Sequence, residues 1–291
     1  MRSLGPWARA PWFAPAGVAA LLLLAFLGNR LGVDLWLSRA FGGPAGFAWR
    51  EHWFTAGLLH EGARHLSLAA GAALLLLWLA SWLPAWRGRL QPLRAPVGFV
   101  LVSAVAAAWA VATLKHRSLH SCPWDLQPFG GMHEFFPLFG TVPADPGPGQ
   151  CLPSGHASTG FMWTGALYAA ARWPGRAPWA PLRGWRGAWF AFAAITSLAQ
   201  VVRGAHFLSH VLIGVAVCWA VVWLADLGVG VLQAWRRRPA GAAPALAPAS
   251  LLGLLPVPLP GRALRTARAR PARRPARRAA RRRPGGAARW P

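Results

Sequence analysis

Residues 153–167 begin with Pro153-Ser154-Gly155-His156 and continue with the apolar run ASTGFMWTGAL. A serine directly before a long apolar segment predicts the start of a helix, with Ser154 as its N-cap. The first N–H groups of a helix have no partner within it and the helix dipole is positive there, so such a terminus binds anions. His156 lies in the first turn, where it is able to give a proton to a bound anion. The stretch therefore predicts half of a phosphate site beside an apolar helix.

The amino-acid composition indicates a membrane protein. Hydrophobic residues make up 55% of the 291 residues and charged residues only 13%, which is too apolar for an ordinary soluble domain of this length. The net charge of +24 is unevenly placed, because fifteen of the 31 basic residues follow Leu232, in a segment without acidic residues. That segment lacks a folded nucleic-acid-binding module and an aromatic stacking surface, so the charge does not indicate a nucleic-acid partner.

Six apolar segments predict membrane-spanning helices, since each has close to the ~20 residues that a bilayer requires. They cover residues 11–28, 66–83, 96–114, 156–171, 187–203 and 208–234. We therefore expect an all-α, integral membrane six-helix bundle over residues 1–238, with a loop and an interfacial helix over residues 29–65. Residues 239–291 contain mainly Ala, Pro, Gly and Arg and are expected to form a disordered cytoplasmic tail.

The distribution of charged residues predicts the orientation in the bilayer. With the N-terminus in the cytoplasm, the inner loops hold seven arginines and no acid, and the outer segments hold six of the seven acidic residues. This topology places the C-terminus in the cytoplasm and all nine histidines on, or at the boundary of, the outer side. It fits a bacterial inner-membrane protein with a periplasmic site. The tail is expected either to contact anionic lipid headgroups or to be simply solvated.

Three polar clusters fall on the predicted outer side. They are KHRSLHSCPWD at residues 115–125, the Pro-Ser-Gly-His stretch, and QVVRGAHFLSH at residues 200–210. In the third cluster, residues 200, 203, 206 and 210 share one helical face unless Gly204 ends the helix. Ionisable residues beside membrane spans are costly and are therefore candidates for function. Lys115, in the first cluster, is the only lysine of the chain, which suggests that its point charge matters there.

Together the clusters resemble the type 2 phosphatidic acid phosphatase (PAP2) family of membrane phosphatases, over roughly residues 60–225. Lys115 and Pro123 match the first motif of the family, in which Cys122 stands in place of an arginine. Residues 153–156 match the second motif completely. His206 matches the histidine of the third motif, and residues 207–214 fit the family's usual sequence there.

The third motif departs from the family pattern at two positions. Gln200 stands where the family has arginine, and His210 stands where it has aspartate. Arg203, one helical turn after Gln200, is expected to reach the same phosphate. Asp125 is the candidate for orienting His206 in place of the missing aspartate, with a loop salt bridge or a turn cap as its alternative role.

The resemblance implies a phosphatase without metal or cofactor that acts on a lipid phosphate or diphosphate. It implies His206 as the nucleophile, giving a phosphohistidine, and His156 as the general acid. The phosphoryl oxygens are expected to be bound by Lys115, Arg203, Ser154 and Gly155. Candidate substrates are undecaprenyl diphosphate, phosphatidate or phosphatidylglycerol phosphate, and the phosphates of lipid A.

Other interpretations stay open at this point. The same residues suit a phosphotransferase that passes the group to another lipid, and the altered Gln200 and His210 positions suit an inactive lipid-binding protein. A zinc site built from the outer histidines has no recognisable spacing. Cys122 and Cys151 both lie in the predicted outer loop, where disulfides persist, so either a bridge between the first two motifs or two free thiols is expected.

Overall fold

A computed structural model describes residues 13–237, and these residues are mostly helical. The predicted tail over residues 239–291 lies outside the described residues, as do the first two residues of the first predicted span.

The described residues form nine α-helices and one short hairpin. The helices are α1 (Phe13–Arg30), α2 (Val33–Arg39), α3 (Ala63–Ala80), α4 (Pro84–Leu90), α5 (Arg94–His116), α6 (Gly155–Phe161), α7 (Gly165–Arg172), α8 (Trp185–Val202) and α9 (Leu208–Arg236). A ten-residue π-helix, Trp53–Gly62, runs directly into α3, and a 3₁₀ turn, Met162–Thr164, joins α6 to α7. The hairpin pairs β1 (Gly42–Gly43) with β2 (Gly46–Phe47) in antiparallel register, Gly42 opposite Phe47.

Four helical segments of the described chain are long and apolar enough to cross a membrane. They are Phe13–Arg30, Trp53–Ala80, Pro84–His116 and Leu208–Arg236, which coincide with the first, second, third and sixth predicted spans. The second begins well before residue 66, so part of the predicted loop over residues 29–65 is helical. Its start is fixed by His52, whose Nδ1 accepts a hydrogen bond from the Phe54 N–H at 3.2 Å.

The fourth and fifth predicted spans are helical, but neither forms a helix that is both long enough and apolar enough to cross a membrane. The fourth is divided between α6 and α7, where the Thr164 hydroxyl donates to the Phe161 carbonyl at 2.6 Å and so competes with the regular helix pattern. The fifth, α8, has 18 residues but contains Arg186 and Gln200. The structure therefore supports four spans, and the six-helix count remains a prediction.

Glycines let these helices approach closely around α9, which packs against α1, α5 and α6. A Cβ at Gly17 of α1 would lie 2.2 Å from the Trp219 ring of α9, and a Cβ at Gly160 of α6 would lie 2.6 Å from Cα of Ala193 in α8. Larger residues would force these pairs apart.

The outer surfaces of the long helices are apolar. Side chains that remain exposed include Leu23, Leu24, Leu66, Leu68, Leu76, Val102, Val105, Trp109 and Leu224. Monomeric soluble proteins rarely expose apolar surface on this scale. The surface and the four long apolar helices fit an integral membrane protein.

A buried carboxylate connects α9 to the first helices. Asp34 is 2% exposed and accepts hydrogen bonds from the Ser209 N–H at 3.0 Å and the Ser209 hydroxyl at 2.6 Å. It also accepts from Nδ2 of Asn29 at 2.9 Å, while Oδ1 of Asn29 accepts from the Leu138 N–H. A carboxylate at a helix N-terminus is favoured by the helix dipole. This network therefore fixes the start of α9 and the loop before α6.

Candidate active site

Ser154 caps α6, as its position in the sequence predicts. Its Oγ accepts a hydrogen bond from the Ala157 N–H at 3.3 Å, and its own N–H donates to the His210 carbonyl of α9 at 2.9 Å. Gly214 makes this contact possible, because a Cβ there would lie 2.9 Å from the Ser154 carbonyl oxygen. Ser154 is fully buried whereas Gly155 is half-buried, so Gly155 is the more accessible of the two to a ligand.

Lys115 reaches the same helix terminus from the last turn of α5. Its Nζ lies 3.6 Å from the position that a Cβ on Gly155 would take. The ammonium group and the positive end of α6 therefore lie side by side. Both attract anions, and the structure brings the first two predicted clusters together at this point.

His206 is buried in the turn between α8 and α9, and only 5% of it is exposed. Its Nδ1 lies 2.9 Å from the carbonyl oxygen of Cys151. Because a carbonyl only accepts, Nδ1 carries the proton and Nε2 keeps its lone pair. Burial is the main cause that lowers the pKa of His206 well below the ordinary value of 6.5, and the electrostatic effect of the neighbouring basic groups His210, Lys115 and His156 lowers it further. His206 is accordingly neutral at pH 7.

A disulfide between Cys122 and Cys151 holds the partner of His206 in place. The Cys151 N–H also donates to the His120 carbonyl at 2.9 Å. The expected link between the first two motifs is therefore present. Free Cys218 is buried in α9.

His156 is buried in the first turn of α6, with 7% of it exposed. Its Nε2 lies 3.2 Å from the Leu59 carbonyl oxygen of the π-helix, which makes Nε2 the donor and leaves Nδ1 as the second ring nitrogen. The His60 ring lies against it, with centroids 4.3 Å apart and an interplanar angle of 33°.

Arg203 is held in a fixed orientation at the end of α8. Its Nε donates to the Arg50 carbonyl at 2.8 Å and its NH1 to Oε1 of Gln200 at 3.1 Å. Gln200 is fully buried and donates in turn to the Thr196 carbonyl. Gly204, with φ of +72°, ends α8 at this point, so the third cluster is divided between α8, a turn and α9 rather than forming one helical face.

His210, where the resemblance places an aspartate, is buried in α9. Its ring centroid lies 6.1 Å from that of His206 and 6.2 Å from that of His120. Its Nδ1 has no hydrogen-bond partner in residues 13–237. His210 therefore packs beside His206 without a hydrogen bond between the two rings.

A family model described as "PAP2 superfamily" matches residues 96–231. Residues 96–231 therefore belong to the PAP2 superfamily. No curated protein and no solved structure matches the chain. Membership implies phosphatase activity on a phosphate ester. The matched region contains all the candidate residues named from the sequence.

The structure corrects the expected role of Asp125 in this PAP2 chain. Its Oδ2 accepts from the Cys122 N–H at 3.3 Å, which is the turn cap that the sequence left as its alternative. Burial raises the pKa of the Asp125 carboxyl, against the opposing effect of that hydrogen bond. The Cys151 carbonyl, and not Asp125, accepts from Nδ1 of His206.

Sequence reasoning missed the groups that hold the two PAP2 histidines. The Cys151 and Leu59 carbonyls carry no residue-specific signal, because every residue has a backbone carbonyl. His60 did have a signal, since an ionisable residue beside an apolar span is a candidate for function.

One group in the described chain brings three potential metal-ligating atoms within 4.8 Å of one another, from Cys122, Cys151 and His206. The disulfide occupies both sulfur atoms, and zinc is bound by thiolates. This group therefore does not fit a metal ion.

Proposed function

We propose that this chain is an integral membrane phosphatase that hydrolyses a lipid phosphate or diphosphate through a phosphohistidine on His206. The observation that carries the proposal is the hydrogen bond from Nδ1 of His206 to the Cys151 carbonyl. It leaves an unprotonated Nε2, the form that a nucleophilic imidazole needs, near the ammonium of Lys115.

In the first step, Nε2 of His206 attacks phosphorus while the bond from phosphorus to the leaving oxygen breaks. His156 enters this step as the imidazolium, with its Nε2–H on the Leu59 carbonyl, and donates its Nδ1 proton to that oxygen, so a lipid alcohol, or a protonated lipid phosphate from a diphosphate, leaves. The phosphorylated imidazole keeps its Nδ1–H on the Cys151 carbonyl, which stabilises the positive ring.

In the second step, water attacks phosphorus and the P–N bond breaks. His156, now unprotonated, takes the proton from the water, so the acid of the first step is the base of the second. The products are inorganic phosphate and the enzyme in its starting protonation state.

Lys115, Arg203 and the N-terminus of α6 are proposed to bind the phosphoryl oxygens. Lys115 supplies a point charge, and Arg203 supplies a planar fork already oriented by the Arg50 carbonyl and Gln200. Such preorganised donors are worth about 10²–10³ in rate each. Ser154 contributes chiefly by capping α6, which presents the Gly155 N–H.

An apolar groove supports a lipid as the substrate. It has a volume of about 440 Å³ and is lined by Phe161 at the end of α6, together with Tyr168, Trp189, Val215 and Trp219. Phe161 lies five positions after His156, about 7 Å further along the helix axis, and we propose that a chain attached to a phosphate at the site enters the groove there. The positive-inside topology, with six spans and a periplasmic site, is part of the same proposal.

The test is a phosphate-release panel in detergent, with lipid phosphates and diphosphates as substrates. Wild-type protein is compared with His206→Ala and with a control, His65→Ala, whose side chain is exposed on α3. We expect release by the wild type and the control, and a loss of at least about 10³-fold in His206→Ala. Activity retained in His206→Ala, or none in the wild type on any substrate, would remove the proposal. Radiolabel recovered on an added lipid alcohol instead of in inorganic phosphate would indicate a phosphotransferase.

A further inference from the structure

The segment Leu59-His60-Glu61 contacts the candidate general acid from outside the region matched to PAP2. It belongs to the π-helix Trp53–Gly62, whereas the match begins at residue 96. π-Helical turns are rare and occur frequently at functional sites.

Two contacts join this segment to His156, one in the plane of its ring and one on its face. The Leu59 carbonyl accepts from Nε2 at 3.2 Å, which fixes the ring's direction and tautomer. The His60 ring packs against it with a centroid distance of 4.3 Å and an interplanar angle of 33°, closer than the ~4.5–7 Å usual for aromatic pairs, and so limits rotation of the imidazole about its side-chain bonds.

His60 is itself anchored from the other side. Its Nε2 lies 3.3 Å from Oε1 of Glu61, and Oε2 of Glu61 lies 3.6 Å from Arg64. The buried Nδ1 of His60 has no hydrogen-bond partner within residues 13–237. The contact between His60 and His156 is therefore made by the ring face and not by a hydrogen bond.

We propose that His60 is a positioning residue for the reaction: its ring face, with the Leu59 carbonyl, holds His156 in the orientation that gives a proton to the leaving oxygen. The inference rests on the proposed function and adds a fourth segment to the site. His60 acts through His156 and makes no contact with the phosphoryl group.

This role predicts a dependence on the leaving group that a structural role does not. An alkoxide is a poor leaving group and needs the proton of His156, whereas a nitrophenolate leaves without one. Misplacing the acid should therefore slow the hydrolysis of an alkyl phosphate and spare the release of nitrophenolate in a single turnover of p-nitrophenyl phosphate, which does not include the later hydrolysis of the P–N bond. General acid catalysis is typically worth 10²–10⁴-fold, so losing its positioning should cost about 10-fold to 10²-fold on the alkyl substrate alone.

The experiment measures kcat and KM of three His60 variants on a long-chain alkyl phosphate, and the rate of nitrophenolate release from p-nitrophenyl phosphate in a single turnover with enzyme in excess. His60→Ala removes the ring, His60→Leu keeps bulk without a flat face, and His60→Phe restores the flat face without nitrogen atoms. His156→Ala is the reference for complete loss of the acid, and His65→Ala is the matched histidine control.

We expect kcat on the alkyl phosphate to fall in the Ala and Leu variants with little change in KM, and to recover largely in the Phe variant. Nitrophenolate release in a single turnover should persist in all three, which also reports that each variant is folded. Equal losses in alkyl phosphate hydrolysis and in single-turnover nitrophenolate release would contradict the proposal, as would unchanged alkyl phosphate activity in His60→Ala. A Phe variant as impaired as the Ala variant would likewise overturn the ring-face role. Failure of the proposed function is distinguishable, because His206→Ala would then retain activity on p-nitrophenyl phosphate.

Discussion

Removing the disulfide should affect both stability and catalysis, because Cys151 holds His206. We consider the double variant Cys122→Ser/Cys151→Ser. The bridge joins residues separated by 29 positions, and loop-closure entropy for a loop of that length corresponds to about 3.6 kcal/mol of unfolding free energy. At roughly 2–4 °C per kcal/mol for a domain of this size, the thermal midpoint in detergent should fall by on the order of 10 °C.

Catalysis should fall as well, since the Cys151 carbonyl loses one of its constraints. The other is the hydrogen bond from its N–H to the His120 carbonyl, so the loop is loosened and not released. A displacement of about 1 Å at a catalytic group costs on the order of 10²-fold. We expect a fall of about 10-fold to 10²-fold in kcat, below the melting temperature of the variant.

The assay compares both proteins with and without dithiothreitol, by thermal unfolding and phosphate release. Reductant should shift the wild type towards the variant and leave the variant unchanged. Thiol labelling of the denatured, non-reduced wild type should modify Cys218 alone. Three labelled cysteines would show that the bridge is absent, and a double variant with the wild-type midpoint and kcat would refute its proposed role at His206.

Three further predictions concern His206, Arg203 and Asp34. His206 must be unprotonated to attack, so kcat/KM should fall as the pH drops through its pKa. Because burial lowers that pKa well below 6.5, the acid limb of the pH–rate profile should lie below pH 6.5 after correction for substrate ionisation. An acid limb above pH 6.5 would contradict the neutral, buried imidazole. Arg203→Lys keeps the charge but loses the planar guanidinium held by Gln200, so kcat/KM should fall by about 10-fold to 10²-fold. A kcat/KM equal to that of the wild type would exclude a role for the planar guanidinium in binding phosphate. Asp34→Ala leaves the Ser209 N–H and hydroxyl without their buried acceptor, which should cost roughly 1–3 kcal/mol of unfolding free energy; an unchanged thermal midpoint would show that the network does not stabilise α9.

Local sequence signals predicted the parts of the fold that local physics decides. The Ser154 cap and the helix break at Gly204 depend on a few neighbouring residues, and both are confirmed. The first, third and sixth apolar runs became long helices because hydrophobic length alone favours them. An interfacial helix was predicted within residues 29–65, but the bounds and π form of the helix over Trp53–Gly62 were not, since its segment mixes polar residues with aromatic ones and lacks a clear period.

Long-range backbone contacts could not be predicted from the sequence. Asp125 was a reasonable partner for His206, because a carboxylate commonly orients a catalytic histidine. The carbonyl of Cys151 takes that place through the way the loop between α5 and α6 folds back, which no residue-type pattern specifies. The division of the fourth span at Thr164 depends likewise on a side-chain hydrogen bond to the backbone.

The phosphohistidine is tested most directly by trapping it in His156→Ala with p-nitrophenyl phosphate. The nitrophenolate leaves without an acid, but hydrolysis of the P–N bond then lacks its base, so the intermediate should accumulate. The account predicts a burst approaching one nitrophenolate per enzyme and, in peptides mapped by mass spectrometry at neutral pH, one phosphoryl group on His206. Steady turnover without a burst and without phosphorylated peptide, or a phosphoryl group on any other residue, would contradict it.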